Sequence, residues 1–236
     1  MKKASKKYRE NQKKIDLVKK YNYKEAIHRL LEMTRSKFDE TVDVAIRLGV
    51  DPKQSDQQIR GAVVLPHGSG RKVKILVFAK GEKIREAEEN GADYVGSAEW
   101  IEKIEKGWLD FDKVIATPDL MGTVSKLGKI LGPKGLMPNP KLGTVTFDVG
   151  IAVQNERKGK VEFKTDKAGI VHSFLGKISF GAEKISENFK ALMDQVVKMK
   201  PSSSKGVYLK SIVLSSTHSS GIKVDSNSVM MKSEEV

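Results

Sequence analysis

Between Thr41 and Leu48 apolar and polar side chains alternate. Val42, Val44, Ile46 and Leu48 fall on one side, and Thr41, Asp43, Ala45 and Arg47 on the other. A period of two predicts a half-buried strand. Tyr23–Met33 instead carries Ala26, Ile27, Leu30, Leu31 and Met33 at helical spacing, which predicts an amphipathic helix. The lysine-dense stretch before it reads as a basic arm that enters a helix over about 10–20. Arg60–Leu65 reads as a second strand.

Pro66-His67-Gly68-Ser69-Gly70 interrupts this pattern, and the texture changes beyond it. Val73–Ala79 is almost continuously apolar, as expected of a strand covered on both faces. Glu82–Asn90 is a charged helix ending at Gly91, and Tyr94-Val95 a short strand. Ala98–Lys106 is a helix closed by Gly107, Lys113–Ala116 an apolar strand, and a further helix is expected from about Asp119 to Ile130. This β-α-β-α rhythm predicts three layers around a parallel sheet. A Gly- and Pro-rich loop, Leu131–Gly143, precedes a short helix at Val149–Arg157.

Alternation returns at Gly159. Val161–Thr165, the turn Asp166–Gly169 and Ile170–Gly176 read as a hairpin. Ala182–Met199 is an amphipathic helix stopped by Pro201, and Val207–Thr217 the last long strand. Asn227–Val236 is expected to fray. The economical fold is mixed α/β and α+β with two domains. A two-layer α/β domain with a largely antiparallel sheet, residues 1–67 and 160–236, is interrupted by an inserted three-layer Rossmann-like α/β domain, residues 68–159. Pro66, Gly68 and Gly159 are the expected hinge.

Composition adds the character of the partner. The chain has 236 residues with Lys+Arg 43 against Asp+Glu 30, a net charge of +13. Such an excess points to a polyanion, above all nucleic acid. Residues 68–159 hold 15 basic and 13 acidic side chains, so about +11 of the excess falls on the discontinuous domain. Lys2, Lys3, Lys6, Lys7 and Arg9 supply non-specific phosphate attraction from the arm. Cysteine is absent, which removes disulfides, thiolate metal sites and cysteine nucleophiles, and fits a reducing compartment. No apolar run approaches the length of a bilayer span, and no apolar segment follows the basic start as in a secretory signal, so no membrane partner is expected.

Enzyme chemistry finds little support. Gly68-Ser69-Gly70-Arg71-Lys72 superficially resembles a phosphate loop, but a strand rather than a helix follows it. His28, His67, His172 and His218 are scattered, and neither a metal-ligand spacing nor a catalytic constellation is visible. No catalytic residue, metal or cofactor is therefore expected. The residues alone leave Phe38 either a core side chain or an exposed aromatic that packs on sugar or base. They leave Leu131–Gly143 either an ordered connection or a loop that brings Lys134 and Lys141 to phosphates or a partner. Leu214–Gly221, with its run of small hydroxyl residues, is a polar turn or a surface that lets main chain and hydroxyls reach RNA 2′-OH groups. A nucleotide-using enzyme on the inserted domain, and a basic binder with no RNA preference, stand as competing readings.

Three stretches carry a closer likeness: Lys37–Gly96, opening KFDETVDVAIRLG; GWLDFDKVIATPDLMG at Gly107–Gly122; and KLGKILGPKGLMPNPKLGTV at Lys126–Val145. Here the chain closely resembles the ribosomal protein L-one family of the mobile large-subunit stalk. The resemblance covers nearly the whole chain. It implies a non-enzymatic constituent of the large ribosomal subunit in the cytoplasm, monomeric when free. It also implies direct binding to 23S rRNA near the exit site and assistance in releasing deacylated E-site tRNA. Repression of the protein's own operon mRNA is implied as well.

In that family the specific RNA contacts lie on a Lys-Phe at the first strand, an Asp-Lys-Thr turn, a serine on the last strand and a Thr-Met-Gly triad. The matching positions here are Lys37 and Phe38; Asp166, Lys167 and Ala168; Ser211; and Thr217, His218 and Ser219. The resemblance thus favours an exposed Phe38. Ala168 departs from threonine and loses a hydroxyl. His218 replaces methionine and offers a ring for stacking. Ser219 replaces glycine, and is expected to crowd the RNA and to resist a positive φ.

Overall fold

The computed structural model describes Asn11, Ile15, Asp16, residues 18–33 and residues 36–230. Lys2, Lys3, Lys6, Lys7 and Arg9, read as the basic arm, lie outside the described residues. In chain order the elements are α1 (Tyr23–Met33), β1 (Thr41–Leu48), β2 (Arg60–Val64), β3 (Ile75–Phe78), α2 (Glu82–Glu89), β4 (Tyr94–Gly96), α3 (Ala98–Glu105) and β5 (Lys113–Ala116). Two short helical turns follow, α4 (Met121–Val124) and α5 (Gly128–Leu131), and then α6 (Val149–Arg157), β6 (Lys160–Lys164) and β7 (Ile170–Lys177). The chain continues with α7 (Gly181–Lys198), β8 (Leu209–Ser216), β9 (Ile222–Val224) and α8 (Asn227–Met230). The fold is mixed α/β. Contacts divide it into two compact units, Met1–Gly70 with Val161–Val236, and Arg71–Lys160.

The first unit is built on a four-stranded sheet in the order β7-β1-β8-β9, antiparallel throughout. Val42, Val44, Ile46 and Leu48 are buried, as the alternation requires, with Val171, Leu175, Ile212, Leu214, Ile222 and Val224 on the same side. Against them pack Ala26, Ile27, Leu30 and Met33 of α1 and Ile185, Phe189, Leu192, Met193 and Val196 of α7. Each Val, Leu, Ile, Phe or Met among them contributes about 1.5–3 kcal/mol when fully buried. The opposite face of the sheet carries Asp43, Arg47, His172 and Ser211, all exposed.

The second unit has the parallel sheet β4-β3-β5. Alternate residues of β3 face opposite ways. Leu76 and Phe78 join Ile101 and Ile104 of α3, with Leu120, Val124, Leu127 and Leu131, whereas Ile75 and Val77 join Ala87 of α2 and Val149, Ala152 and Val153 of α6. This double covering is why β3 reads as an unbroken apolar run.

Four expectations change. Of the helix expected over 10–20, the described residue Asn11 is helical, but Ile15, Asp16 and Val18–Lys20 are not. The Asp16 carboxylate accepts from Val18 N, Tyr21 Oη accepts from Asp16 N, and Tyr21 bridges Val224, so the chain bends here instead of winding on. The helix expected over Asp119–Ile130 is a succession of short turns that includes α4 and α5. Gly122 and Gly128 disfavour helix, and Ser125 Oγ donates back to Met121 O at 2.6 Å. The expected hairpin closes only at its tip, through Asp166 N to Ile170 O. Beyond Thr165 its arms part, β6 joining β2 and β7 joining β1. The tail expected to fray begins with a helical turn, α8.

Candidate nucleic-acid interface

Phe38 sits just before β1 and is 54% exposed. Its ring meets that of His218 edge to face, centroids 5.6 Å apart and planes at 86°. Two residues further on, Glu40 stays in phase with the buried side of β1 and is 2% exposed. A buried carboxylate needs donors. Ser216 Oγ donates to Glu40 Oε2 at 2.5 Å, and His218 N donates to the same oxygen at 3.1 Å. Burial, the largest single influence, pushes the Glu40 pKa up. The bonds from Ser216, Ser36 and His218 N and the His218 charge together outweigh it, and the carboxyl is held below its ordinary value. Glu40 thus fixes the turn that presents His218 toward Phe38.

Ser219 completes that turn. Its Oγ accepts from Ser216 N at 2.8 Å, and its own N donates to Ser216 O at 3.3 Å. Among the described residues no side-chain-bearing residue has a positive φ. The expected backbone conflict at Ser219 is therefore absent, because the hydroxyl closes the turn within an ordinary conformation.

Beside Phe38, Lys37 is exposed. Asp39 accepts from Ser179 Oγ at 2.7 Å and Ser179 N at 3.1 Å. The Ser179 hydroxyl does most to hold the Asp39 carboxyl below its ordinary value, helped by the Lys177 charge and opposed by partial desolvation. Lys177 Nζ donates to Asp39 O and Thr41 Oγ1.

The second group lies at the other end of β1. Asp166 Oδ1 accepts from Ala168 N and Ile170 N, each at 2.8 Å, and Gly169 takes a φ of 73°. These bonds, that from Ile170 first, keep the Asp166 carboxyl ionised below its ordinary value. Lys167 and Ala168 are exposed at the tip, so the chemistry there is a lysine on a rigid turn. Ser211 is opposite Arg47 on the solvent face. Ser216 pairs with Val42 and Ile170 with Arg47, so about five residues of strand, roughly 17 Å, separate the two groups.

Between them the solvent face of the sheet has a groove of about 380 Å³ lined by Asp43, Ala45, His172, Phe174 and Ser215. Small Ala45 and Ser215 on the central strands leave the depression. Sequence reasoning missed this groove and the supporting role of Glu40. A signal for Glu40 existed: its position continues the Val42, Val44, Ile46 series, so an acid there points inward. Among the described residues no cluster of His, Cys, Asp and Glu could hold a metal ion, and no helix is long and apolar enough to cross a membrane.

Comparison with known proteins gives a consistent result. The model of the family described as "Ribosomal protein L1p/L10e family" matches residues 30–220. The chain is 58% identical over 224 residues to the large ribosomal subunit protein uL1 of Bdellovibrio bacteriovorus, an alignment that covers 95% of this chain and 96% of that protein.

Proposed function

Since the chain belongs to the ribosomal protein L1p/L10e family, we propose that it is an RNA-binding constituent of the large ribosomal subunit. The family is one of ribosomal proteins, not of enzymes. As such a protein it works on the ribosome, in the cytoplasm. The first unit binds 23S rRNA through Lys37, Phe38, Thr217, His218 and Ser219 at one end of the sheet. Asp166, Lys167, Ala168 and Ser211 serve at the other end. The observation that carries this reading is the exposed Phe38–His218 ring pair, mounted on a buried, fully bonded carboxylate. An exposed aromatic pair on a rigid, nearly uncharged turn suits unstacked bases and riboses, while the surrounding lysines supply general phosphate attraction.

The same reading makes residues 68–159 an inserted domain of the mobile stalk near the E site. It turns about Pro66, Gly68 and Gly159 as deacylated tRNA leaves. The positive φ of Gly68 (70°) and Gly159 (92°) supports special backbone at both connections. Asn188 binds His67 N and Gly68 O, which makes Pro66–Gly68 the fixed side of the hinge. The free protein is a monomer, and its rRNA site also takes its own operon mRNA as a repressor.

Gel-shift titration of a large-subunit rRNA fragment against an unrelated RNA, at raised salt, tests the core of this reading. Preference for the former, weakened by Phe38→Ala, is expected. Equal affinity for both RNAs overturns it.

A further inference from the structure

Residues 216–220, where β8 ends and the chain turns toward β9, include no Lys, Arg, Asp or Glu. Their one titratable side chain that can turn cationic is His218, so any positive charge this turn offers a partner comes from that ring. The ring is exposed and meets exposed Phe38 edge to face. Stacking engages the carbon skeleton of the two rings and leaves the imidazole nitrogens without a task.

The two nitrogens are not equivalent. His218 Nδ1 lies 3.0 Å from Thr217 O. A carbonyl oxygen only accepts, so Nδ1 donates this bond and carries a proton whether the ring is neutral or charged. Nε2 is then the atom that gains or loses the second proton. Among the described residues Nε2 has no hydrogen-bond or ion-pair partner. Neutral, it is an acceptor; protonated, it is a cationic donor. The change breaks no bond that holds the turn, since the Nδ1 bond persists through it.

The support beneath suits the charged form. Glu40 Oε2 accepts from Ser216 Oγ at 2.5 Å and from His218 N at 3.1 Å, so the main chain of the turn rests on an anion. The other charged groups nearby in the fold are Lys37 and Asp39 on the segment before β1, Lys177 at the end of β7 and Lys223 on β9. Asp39 is already held by Ser179, and Lys177 Nζ donates to Asp39 O and Thr41 Oγ1. Glu40 is 2% exposed and already takes two donors. An anion for Nε2 therefore comes from outside the chain.

We propose that His218 is a proton-linked contact of the RNA site: its imidazolium donates from Nε2 to a phosphate oxygen of the bound RNA while Nδ1 stays on Thr217 O. The proposal rests on the rRNA-binding reading above and adds to it a charge and a pH dependence. A phosphate beside Nε2 favours the protonated ring, so RNA and proton bind together. Linkage is reciprocal: the proton strengthens RNA binding by the factor by which RNA strengthens proton binding. Affinity for RNA thus rises as pH falls through the range in which histidines titrate, and is lowest where the ring is neutral.

The test uses the full chain and the large-subunit rRNA fragment between about pH 6 and pH 8.5, where Glu40 stays ionised. Wild type should bind about fivefold more tightly at pH 6 than at pH 8. Its slope of log K against log salt should be steeper at pH 6 by about 0.7–0.9, the mark of one more phosphate contact. His218→Phe keeps a ring opposite Phe38, and His218→Gln keeps a polar side chain. Both should lose most of the pH difference and the steepening. His172→Gln removes the histidine of the groove, whose Nε2 is 3.7 Å from Asp166 Oδ2, and should retain both. Nitrogen NMR of the free protein at about pH 9, where histidine is neutral, should show Nδ1 as the protonated nitrogen of His218. The opposite tautomer, a pH difference that survives in both His218 variants, or one without a change in salt slope each overturn the proposal. A fragment bound no better than unrelated RNA at pH 8 removes the rRNA-binding reading itself, whereas preference for the fragment with a flat pH profile removes the proton linkage alone.

Discussion

The Phe38 ring presents its face or edge to His218 at 5.6 Å, and more than half of its surface remains open to solvent. A ring more than half open to solvent contributes little to folding. Phe38→Ala should therefore change stability by no more than about 0.5 kcal/mol. It should weaken binding to the specific rRNA fragment by about 1–3 kcal/mol. Calorimetry and gel-shift titration on the same preparation separate the two effects. A variant that unfolds readily but binds normally when folded contradicts the assignment.

Glu40 should make stability sensitive to acid. Its folded pKa lies below the ordinary 4.5, so the unfolded chain takes up a proton first as pH falls. The stabilisation is complete well above pH 4.5 and is lost as pH drops through the folded value. Glu40→Gln should cost about 1–3 kcal/mol at neutral pH, since Ser216 Oγ and His218 N lose a charged acceptor. That difference should shrink on going below pH 4.5. Urea titrations of both proteins across this range check the sign, and a difference that grew on acidification would be the wrong one.

Ser219→Gly should destabilise the turn by about 1 kcal/mol, because Ser216 N loses its side-chain acceptor and the glycine has more freedom to lose. No compensating relief of backbone strain is expected, since no positive φ exists there. Amide exchange at Ser216 should quicken in the variant, and unchanged exchange contradicts the role given to the hydroxyl.

Asn188 is fully buried and satisfies three main-chain groups at once: His67 N, Gly68 O and Leu175 O. Asn188→Leu strands all three. Leaving the buried Leu175 O unpaired costs about 1–3 kcal/mol and the part-buried His67 N and Gly68 O add less, so a loss of about 2–3 kcal/mol is expected. A fall in the urea midpoint with an unchanged slope measures it.

How far these features are legible in the sequence depends on the range of the forces that make them. The bounds of α1, β1 and α6 follow from local periodicity, since each buries a face whose spacing is written along the segment itself, and β5 is marked by an unbroken apolar run because both its faces are covered. β9 escaped notice because three residues carry no period, and only their pairing with β8 makes them a strand. The wide hairpin failed because Val161–Thr165 and Ile170–Gly176 alternate equally well for any partner. The partner was set by where β2 and β1 stood.

The site divides in the same way. Exposed Phe38, the serine-rich turn and the Asp166 turn could be marked from residue types and resemblance. Their support could not. Glu40 lies 176 positions from Ser216 in the chain, and no local signal joins them. The departure at Ser219 read as a conflict when only backbone preference was considered, and became a closure once Ser216 N stood within reach of its hydroxyl.

By itself, then, the sequence determined which segments wind or extend, where charge gathers and to which family the residues conform. These are properties of neighbours a few positions apart, or of simple sums over the chain. Only the tertiary structure decided which strands pair and which acid is buried and bonded. Those depend on burial and directional hydrogen bonds between distant residues, and such bonds acquire partners only when the whole chain has packed.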